Sequence, residues 1–390
     1  MINILYTGRN LRVRRRETVQ NPPNNIIYTT QFPIDEMPPD HKLTWRVKVN
    51  YKEIILLKLV SILQIPNVRY ISNAILKWVD LLHTPWQLII NNKKYVVEID
   101  NVACLSFYKL STLFWFLGKN VISYFLRREN CRKIICISEA AKHSMIQFFN
   151  DDKISQKCVV SYPFVSDKSL KIEDITVQIP PKLLYISSDF YLKWWKELLK
   201  AYIWVKKRNP NIALTIITKI DSIQDEDKKL LSNTDIQLVE ANITKDVLYR
   251  DYYLTHDIFI CPTYKDSFWL VFLEALSCGL AIITTDMFAV KEMVISGYNW
   301  QVITSPISVF TKNYLPDPKR RDVDIGEFAI SHDNYFDSFR ATLEKTIENI
   351  INDYQTILSY KKNSLQLYQE KFHNNIRIKH LERIYLDSLK

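Results

Sequence analysis

One stretch, CPTYKDSFWLVFLEALSCGLAIITTDMFAVKEMVISGYNWQV from Cys261 to Val302, constrains the fold more than any other part of the chain. Asp266 and Glu274 stand eight positions apart, an acid at each end of an apolar run. A helix fits that run, and Gly279 follows it where a left-handed stop is expected. Ala281 to Thr284 then reads as a short β-rich segment. Strand, acidic loop, helix, glycine and strand, in that order, is the layout of a ligand site at the end of a parallel sheet.

The chain is long enough for two domains at 390 residues. Its 47% hydrophobic content fits a globular protein with a substantial core, and 24% charged residues argue against wholesale disorder. Six cysteines without a C-x-x-C pair argue against a zinc ribbon or a disulfide framework and fit a reducing compartment. The leading MINILYTGRN reads as a strand and not as a signal peptide, so a cytoplasmic location is expected, with peripheral membrane attachment as a variant. With only five glycines, phosphate-binding turns must use other residues at most positions.

The net charge of +10 is uneven. Residues 1–165 carry 23 Lys and Arg against 12 Asp and Glu, and the remainder 29 against 30. A basic first half attracts an acidic acceptor, an anionic membrane surface or nucleic acid. A merely soluble basic domain fits the same numbers.

Periodicity predicts strands at Ile2–Tyr6, Ile26–Thr29, Leu88–Ile90, Tyr95–Ile99 and Lys133–Ile137, with helical spacing over 51–82. Ser138 can cap the helix that follows the last of these strands, with Glu139 in its first turn. A second alternation begins at the strand Leu183–Ile186. It continues through a helix Trp194–Arg208, strands Ala213–Thr218 and Ile236–Val239, a helix Asp246–Leu254 and a strand Asp257–Cys261. Beyond about residue 334 the chain reads as helix to its end. Alternating strands and helices indicate α/β domains with parallel sheets, and Tyr162-Pro163-Phe164 marks the boundary. The apolar run Val102–Leu126 is broken by Lys109, Gly118 and Lys119, which argues against a membrane span. A buried helix pair or a helix lying on a membrane remain open, with Arg127-Arg128 and Arg132-Lys133 behind it.

The opening segment resembles the E-x7-E signature of family-4 retaining glycosyltransferases of the GT-B fold, with Asp266 in place of the first Glu. The likeness extends over Pro262, Phe268, Leu270, Glu274-Ala275, Gly279, Glu292, Gly297 and Asn299. A second segment, LLYISSDFYLKWWKELLKAY over 183–202, resembles the family's G-R-x4-K-G loop and helix. Ser187, Ser188, Lys193 and Trp194 hold its four marked positions. Two further stretches, 133–149 and Glu370 to Leu389, resemble the end of the acceptor domain and a closing helix that crosses back onto it.

The resemblance implies two Rossmann-like doubly wound domains facing a cleft. Residues 1–165 with 372–390 would bind the acceptor, and 166–371 a nucleotide diphosphate sugar. Lys193 then matches the diphosphate-binding lysine, Asp266 would orient the sugar and Glu274 would hold the ribose. Phosphate would sit against Ser267, Phe268, Trp269, Leu270 and Val271 at the helix start. Ser188 departs from the family's arginine, and a neutral hydrogen bond contributes about 1 kcal/mol against roughly 1.5–3 for a charged one. Arg9 or Lys265 could supply the missing cation.

The family often carries a histidine after a middle strand of its first domain. Here YVVEIDN places Asp100 or Glu98 there, and Asp100 equally suits a turn. The seven histidines show no metal-ligand spacing, and no cofactor is expected beyond the donor substrate. The acceptor class implied is a glycan, a glycolipid or a lipid-linked saccharide. A GT-B-shaped binding protein without activity is the first competitor, since Trp269 and Trp194 replace glycines. A basic nucleic-acid binder is the second, although no recognised module supports it.

Overall fold

Parallel strands make up both halves of the chain. The computed structural model describes residues 1–8, 13–30, 66–187, 193, 195–232, 234–321 and 336–390. Chain order brings β1 (Ile2–Tyr6), β2 (Ile26–Thr30), β3 (Val68–Arg69), β4 (Leu81–Pro85), β5 (Leu88–Ile89), β6 (Tyr95–Ile99), β7 (Cys131–Cys136) and β8 (Cys158–Val160). Six of these form one sheet in the order β2-β1-β4-β6-β7-β8, while β3 and β5 pair separately. All pairings are parallel. Every residue of β4 and β6 is buried, as expected of strands covered on both faces.

The second sheet holds β9 (Lys182–Ile186), β10 (Ala213–Thr218), β11 (Gln237–Glu240), β12 (Ile258–Cys261), β13 (Ala281–Thr285) and β14 (Val302–Ile303). Its order, β11-β10-β9-β12-β13-β14, is doubly wound. The order reverses between β9 and β12, so the loops leaving those two strands diverge and open a crevice there.

Several expected elements differ. Helical spacing over 51–82 lies partly outside the described residues. Within 66–82 the chain forms β3, a short helix Asn73–Leu76 and the start of β4. Pro85 and the brevity of LLHTP hid β4 from a periodicity argument. Asp246–Leu254 is not one helix but a short turn Lys245–Val247, a wide turn Leu248–Tyr252 and a tight turn Tyr253–Thr255. The last segment is broken into helices Asp337–Ile351, Tyr354–Leu367 and Asn374–Leu389.

The Asn374–Leu389 helix lies on the first sheet, where Leu381 and Tyr385 pack with Ile4, Leu81, Val96 and Ile135. A polar network runs beneath it. Arg377 forms an ion pair with Glu98, both buried, and donates to the Ser161 carbonyl at 2.6 Å. The Tyr385 hydroxyl meets His83 Nδ1 at 2.7 Å and the Tyr28 hydroxyl at 2.6 Å. Burial pushes the His83 pKa down, which keeps the ring neutral beside Arg377. Glu98, one of two acids considered for the cleft, is therefore committed to holding this helix.

Candidate active site at the sheet switch point

The site is built by the two loops that leave β9 and β12. The first brings Lys193, which forms an antiparallel bridge with Thr263 in the second and so ties the loops together. The Lys193 ammonium is largely buried. It donates to Thr263 Oγ1 at 3.0 Å, forms an ion pair with Asp266 and lies 3.8 Å above the Trp269 ring. Three neighbours thus hold one cation where the switch point opens. Ser188, in the first loop, lies outside the described residues, as do Arg9 and Trp194. Lys265, the other candidate cation, is exposed on the second loop.

The second loop ends at the helix Leu270–Ser277, where no side chain caps Trp269. Backbone N–H groups at such an end attract anions through both hydrogen bonding and the helix dipole. Ser267, Phe268, Trp269 and Leu270 are half-buried along this approach, and Val271 is buried. The other end of the helix is closed by Gly279 at φ 64°. Leu280 N–H donates to the Ala275 carbonyl and Gly279 N–H to that of Leu276, both at 3.0 Å, which satisfies carbonyls left over by the helix. A Cβ on Gly279 would come within 2.7 Å of Ile175. This tight stop fixes the helix axis and with it the position of Glu274.

Glu274 is buried in the middle of that helix and accepts a hydrogen bond from the Tyr253 hydroxyl at 2.9 Å. Burial raises its pKa; the nearby Lys245 ammonium and the Tyr253 hydrogen bond act against that rise. Lys245 donates to Glu17 Oε1 at 3.0 Å, and Ser166 donates to Glu17 Oε2 at 2.8 Å. Lys168 sits 3.5 Å above the Tyr249 ring. Glu274 therefore lies in a polar pocket of acids, lysines and tyrosines, and Glu17 reaches into it from the first half of the chain.

A second cross-cleft bond joins Asn101 Nδ2 to Ser267 Oγ at 2.6 Å. Its neighbour Asp100 follows β6 and accepts from Trp86 Nε1 at 3.2 Å and from the Tyr108 hydroxyl at 2.9 Å. Trp86 and Tyr108 meet edge to face at 5.4 Å, and the Arg15 guanidinium lies 4.3 Å above Trp86. Trp86, Phe107 and Tyr108 have φ values of 64°, 54° and 63°. Bulky residues in that region cost on the order of 1–3 kcal/mol each and gather where function fixes geometry. Asp100 thus stands in a strained aromatic cradle at the lip of the first sheet.

Glu292 completes the contact between the halves. Its carboxylate accepts from the N–H groups of Glu139 and Ala140, both at 2.8 Å, and from the Tyr162 hydroxyl at 2.7 Å. It caps a helix of the first domain from the second.

Residues 171–309 match the family model of glycosyl transferases group 1. That span contains both loops and the Leu270–Ser277 helix. No functionally curated protein matches this sequence. Solved structures do match along the whole chain. A glycosyltransferase from Rickettsia africae is 14% identical with a TM-score of 0.62, covering 100% of this chain and 99% of that one. Anabaena HepE, solved with UDP and glucose, is 11% identical with a TM-score of 0.61, covering 99% and 100%. WaaG, a glycosyltransferase of lipopolysaccharide biosynthesis, is 13% identical with a TM-score of 0.59, covering 98% and 99%. Identities this low speak to the fold, which is the two-domain α/β arrangement of GT-B glycosyltransferases.

Of the residues singled out from the sequence, Lys193, Asp266, Trp269 and Glu274 share the second-sheet crevice, and Asp100 sits on the other lip. Sequence reasoning did not single out Glu17, Lys245, Tyr253, Trp86, Tyr108 or Asn101 as site residues. Glu17 and Lys245 are 228 positions apart. Only the aromatic residues flanking Asp100 in PWQ and FYK offered a local signal.

Proposed function

We propose that this chain is a retaining glycosyltransferase that moves a sugar from a nucleotide diphosphate to an acceptor hydroxyl without a metal. The observation that carries this reading is Lys193, held by Asp266 and Thr263 beside an uncapped helix start at the switch point, with Glu274 buried behind. The ammonium and the helix N–H groups meet the charge that grows on the diphosphate as the bond to the sugar breaks. The acceptor oxygen attacks the anomeric carbon from the face the diphosphate leaves, and the acceptor proton passes to a diphosphate oxygen.

Asp266 and the donor compete for Lys193. As phosphate takes over the ammonium, Asp266 is released towards the sugar hydroxyls. Glu274, oriented by Tyr253, accepts from the ribose hydroxyls. Asp100, held at the lip of the first sheet by Trp86 and Tyr108, is the carboxylate placed to orient an acceptor hydroxyl. The acceptor is a glycan, a glycolipid or a lipid-linked saccharide. Residues 1–165 with 372–390 form its domain, and 166–371 form the donor domain. Anabaena HepE has been solved with UDP-glucose, which makes UDP-glucose the first donor to try.

The test is calorimetry and thermal shift against UDP-, GDP-, ADP- and dTDP-sugars, since a ligand of the folded state raises its stability. One of them is expected to bind and to raise the melting temperature. Silence across the panel would sink the transferase reading.

A further inference from the structure

We propose that Trp269 is a positioning residue that aims the Lys193 ammonium at the departing diphosphate. The proposal rests on the transferase reading for the identity of that anion. Three neighbours surround the ammonium, and they differ in how firmly they are held. Thr263 accepts from it at 3.0 Å. That residue is fully buried, its N–H donates to Thr285 Oγ1 at 2.9 Å, and its carbonyl accepts from the same hydroxyl. The Trp269 ring lies 3.8 Å beneath the ammonium and meets Phe272 edge to face at 5.7 Å. Phe272 is fully buried on the Leu270–Ser277 helix and meets Phe259 of β12 in the same way at 5.8 Å. The ring is thus braced from the sheet outward. Asp266 has no such brace. Its side chain is 23% exposed, against 6% for Lys193, and its bond among the described residues is the one to that lysine.

A lysine ammonium carries three N–H donors. Thr263 and the ring take two directions, and Asp266 takes the third. When phosphate displaces Asp266, the two braced neighbours stay. The remaining donor then points where the phosphate oxygen arrives, with no reorganisation at the moment of bond breaking. The ring does this without cancelling charge. A π face attracts a cation through its quadrupole and carries no net charge, so Lys193 keeps its full charge for the diphosphate. A second carboxylate in the same place would neutralise it. Trp269 also leaves the helix start open, since its side chain caps none of the N–H groups there. The glycine that the family resemblance calls for at this position has no ring to offer, so the arrangement belongs to this chain.

Calorimetry of the full chain with inorganic pyrophosphate tests this. The parent is expected to bind. Trp269→Leu should weaken binding about tenfold, as loss of a desolvated cation–π contact does, and Trp269→Phe only about threefold. A tryptophan fluorinated on its benzo ring, placed at position 269 alone, keeps the shape and weakens the negative face, so it should fall between parent and Leu variant. That protein reads the contact even where the Leu variant does not fold, and melting temperatures check the fold of each. Reductive methylation followed by mass spectrometry reports on the ammonium itself. Lys193 should react more slowly than exposed Lys265 in the parent, and the Leu variant should narrow that gap. Equal pyrophosphate affinity along the series, or no binding to the parent, overturns the proposal. So does tighter binding on loss of the ring, the result expected of a ring that merely blocks the site. The nucleotide-sugar panel reads the transferase hypothesis separately. Silence there with a graded pyrophosphate series leaves an anion site without a donor. A bound nucleotide sugar with a flat series removes Trp269 alone from the mechanism.

Discussion

The two sheets share a winding plan and differ in what stands where their strand order reverses. In the second sheet, the loops after β9 and β12 carry a buried lysine, its aspartate and an uncapped helix end. In the first sheet, β1 and β4 flank the reversal. There Thr7 donates to Gln87 at 2.8 Å and Arg69 donates to the Thr7 carbonyl at 2.8 Å, with the Trp86–Tyr108 cradle of Asp100 alongside. One crevice is built for negative charge. The other presents, among the described residues, aromatic rings, the Gln87 amide, the Asp100 carboxylate and the Arg15 and Arg69 guanidiniums, a mixed lining. Equal topology thus leaves chemistry to the loops.

The largest expected effect tests the charged side. Lys193→Ala should cut turnover by about a hundredfold to a thousandfold, the loss typical when one preorganised donor to a developing anion is removed. Steady-state kinetics with saturating donor measure it, and unchanged turnover would mean that the cation has no part in departure of the diphosphate.

Glu274→Ala should weaken donor binding by roughly tenfold to a hundredfold, as loss of charged hydrogen bonds does, with a smaller change in turnover. Calorimetry separates the two. The same residue carries a pH signature. Because burial raises its folded-state pKa, the native state holds the proton more tightly than the unfolded chain does. Stability from this group is therefore greatest below its unfolded pKa and is lost as pH rises through the folded one. Glu274→Gln should remove that loss, so the difference in melting temperature between variant and parent should grow with pH.

The smallest effect belongs to the aromatic side. Asp100→Asn should raise the acceptor KM by about tenfold and leave donor affinity untouched. If donor affinity falls instead, the two crevices are not chemically divided as described.

How much of this was readable in the sequence depended on how locally it was written. The pairing of Asp266 with Glu274 spans one loop and one helix, so periodicity and Gly279 placed both. Lys193 needed a second segment but still lay in a recognisable strand–loop–helix. By contrast, Glu17 meets Lys245, and Asn101 meets Ser267, only because two domains face each other, and no local pattern encodes that approach. The run Val102–Leu126 does contain the expected helix pair, Leu110–Phe114 and Phe116–Arg127, but the sequence left open which face is buried. Its apolar residues cover both faces of two short helices, and only the tertiary structure shows that Ile122 points inward while Phe116 and Tyr124 point out. Asp246–Leu254 kept helical spacing yet closed in turns of changing width, a difference of hydrogen-bond partner that side-chain pattern does not record.

The Asn374–Leu389 helix bears on the order of biosynthesis. Glu98 and His83 leave the ribosome early, whereas Arg377 comes 279 residues after Glu98 and Tyr385 302 residues after His83. Removing one partner of a buried ion pair costs about 3–5 kcal/mol. Until the last helix emerges, the first sheet carries that deficit together with an uncovered apolar face, while residues 182–303 already hold every strand of the second sheet. Folding in this chain is therefore finished from the back: the domain translated first is completed last. A chain interrupted before Arg377 lacks the cation that pairs with Glu98 and the side chains that cover Ile4, Leu81, Val96 and Ile135.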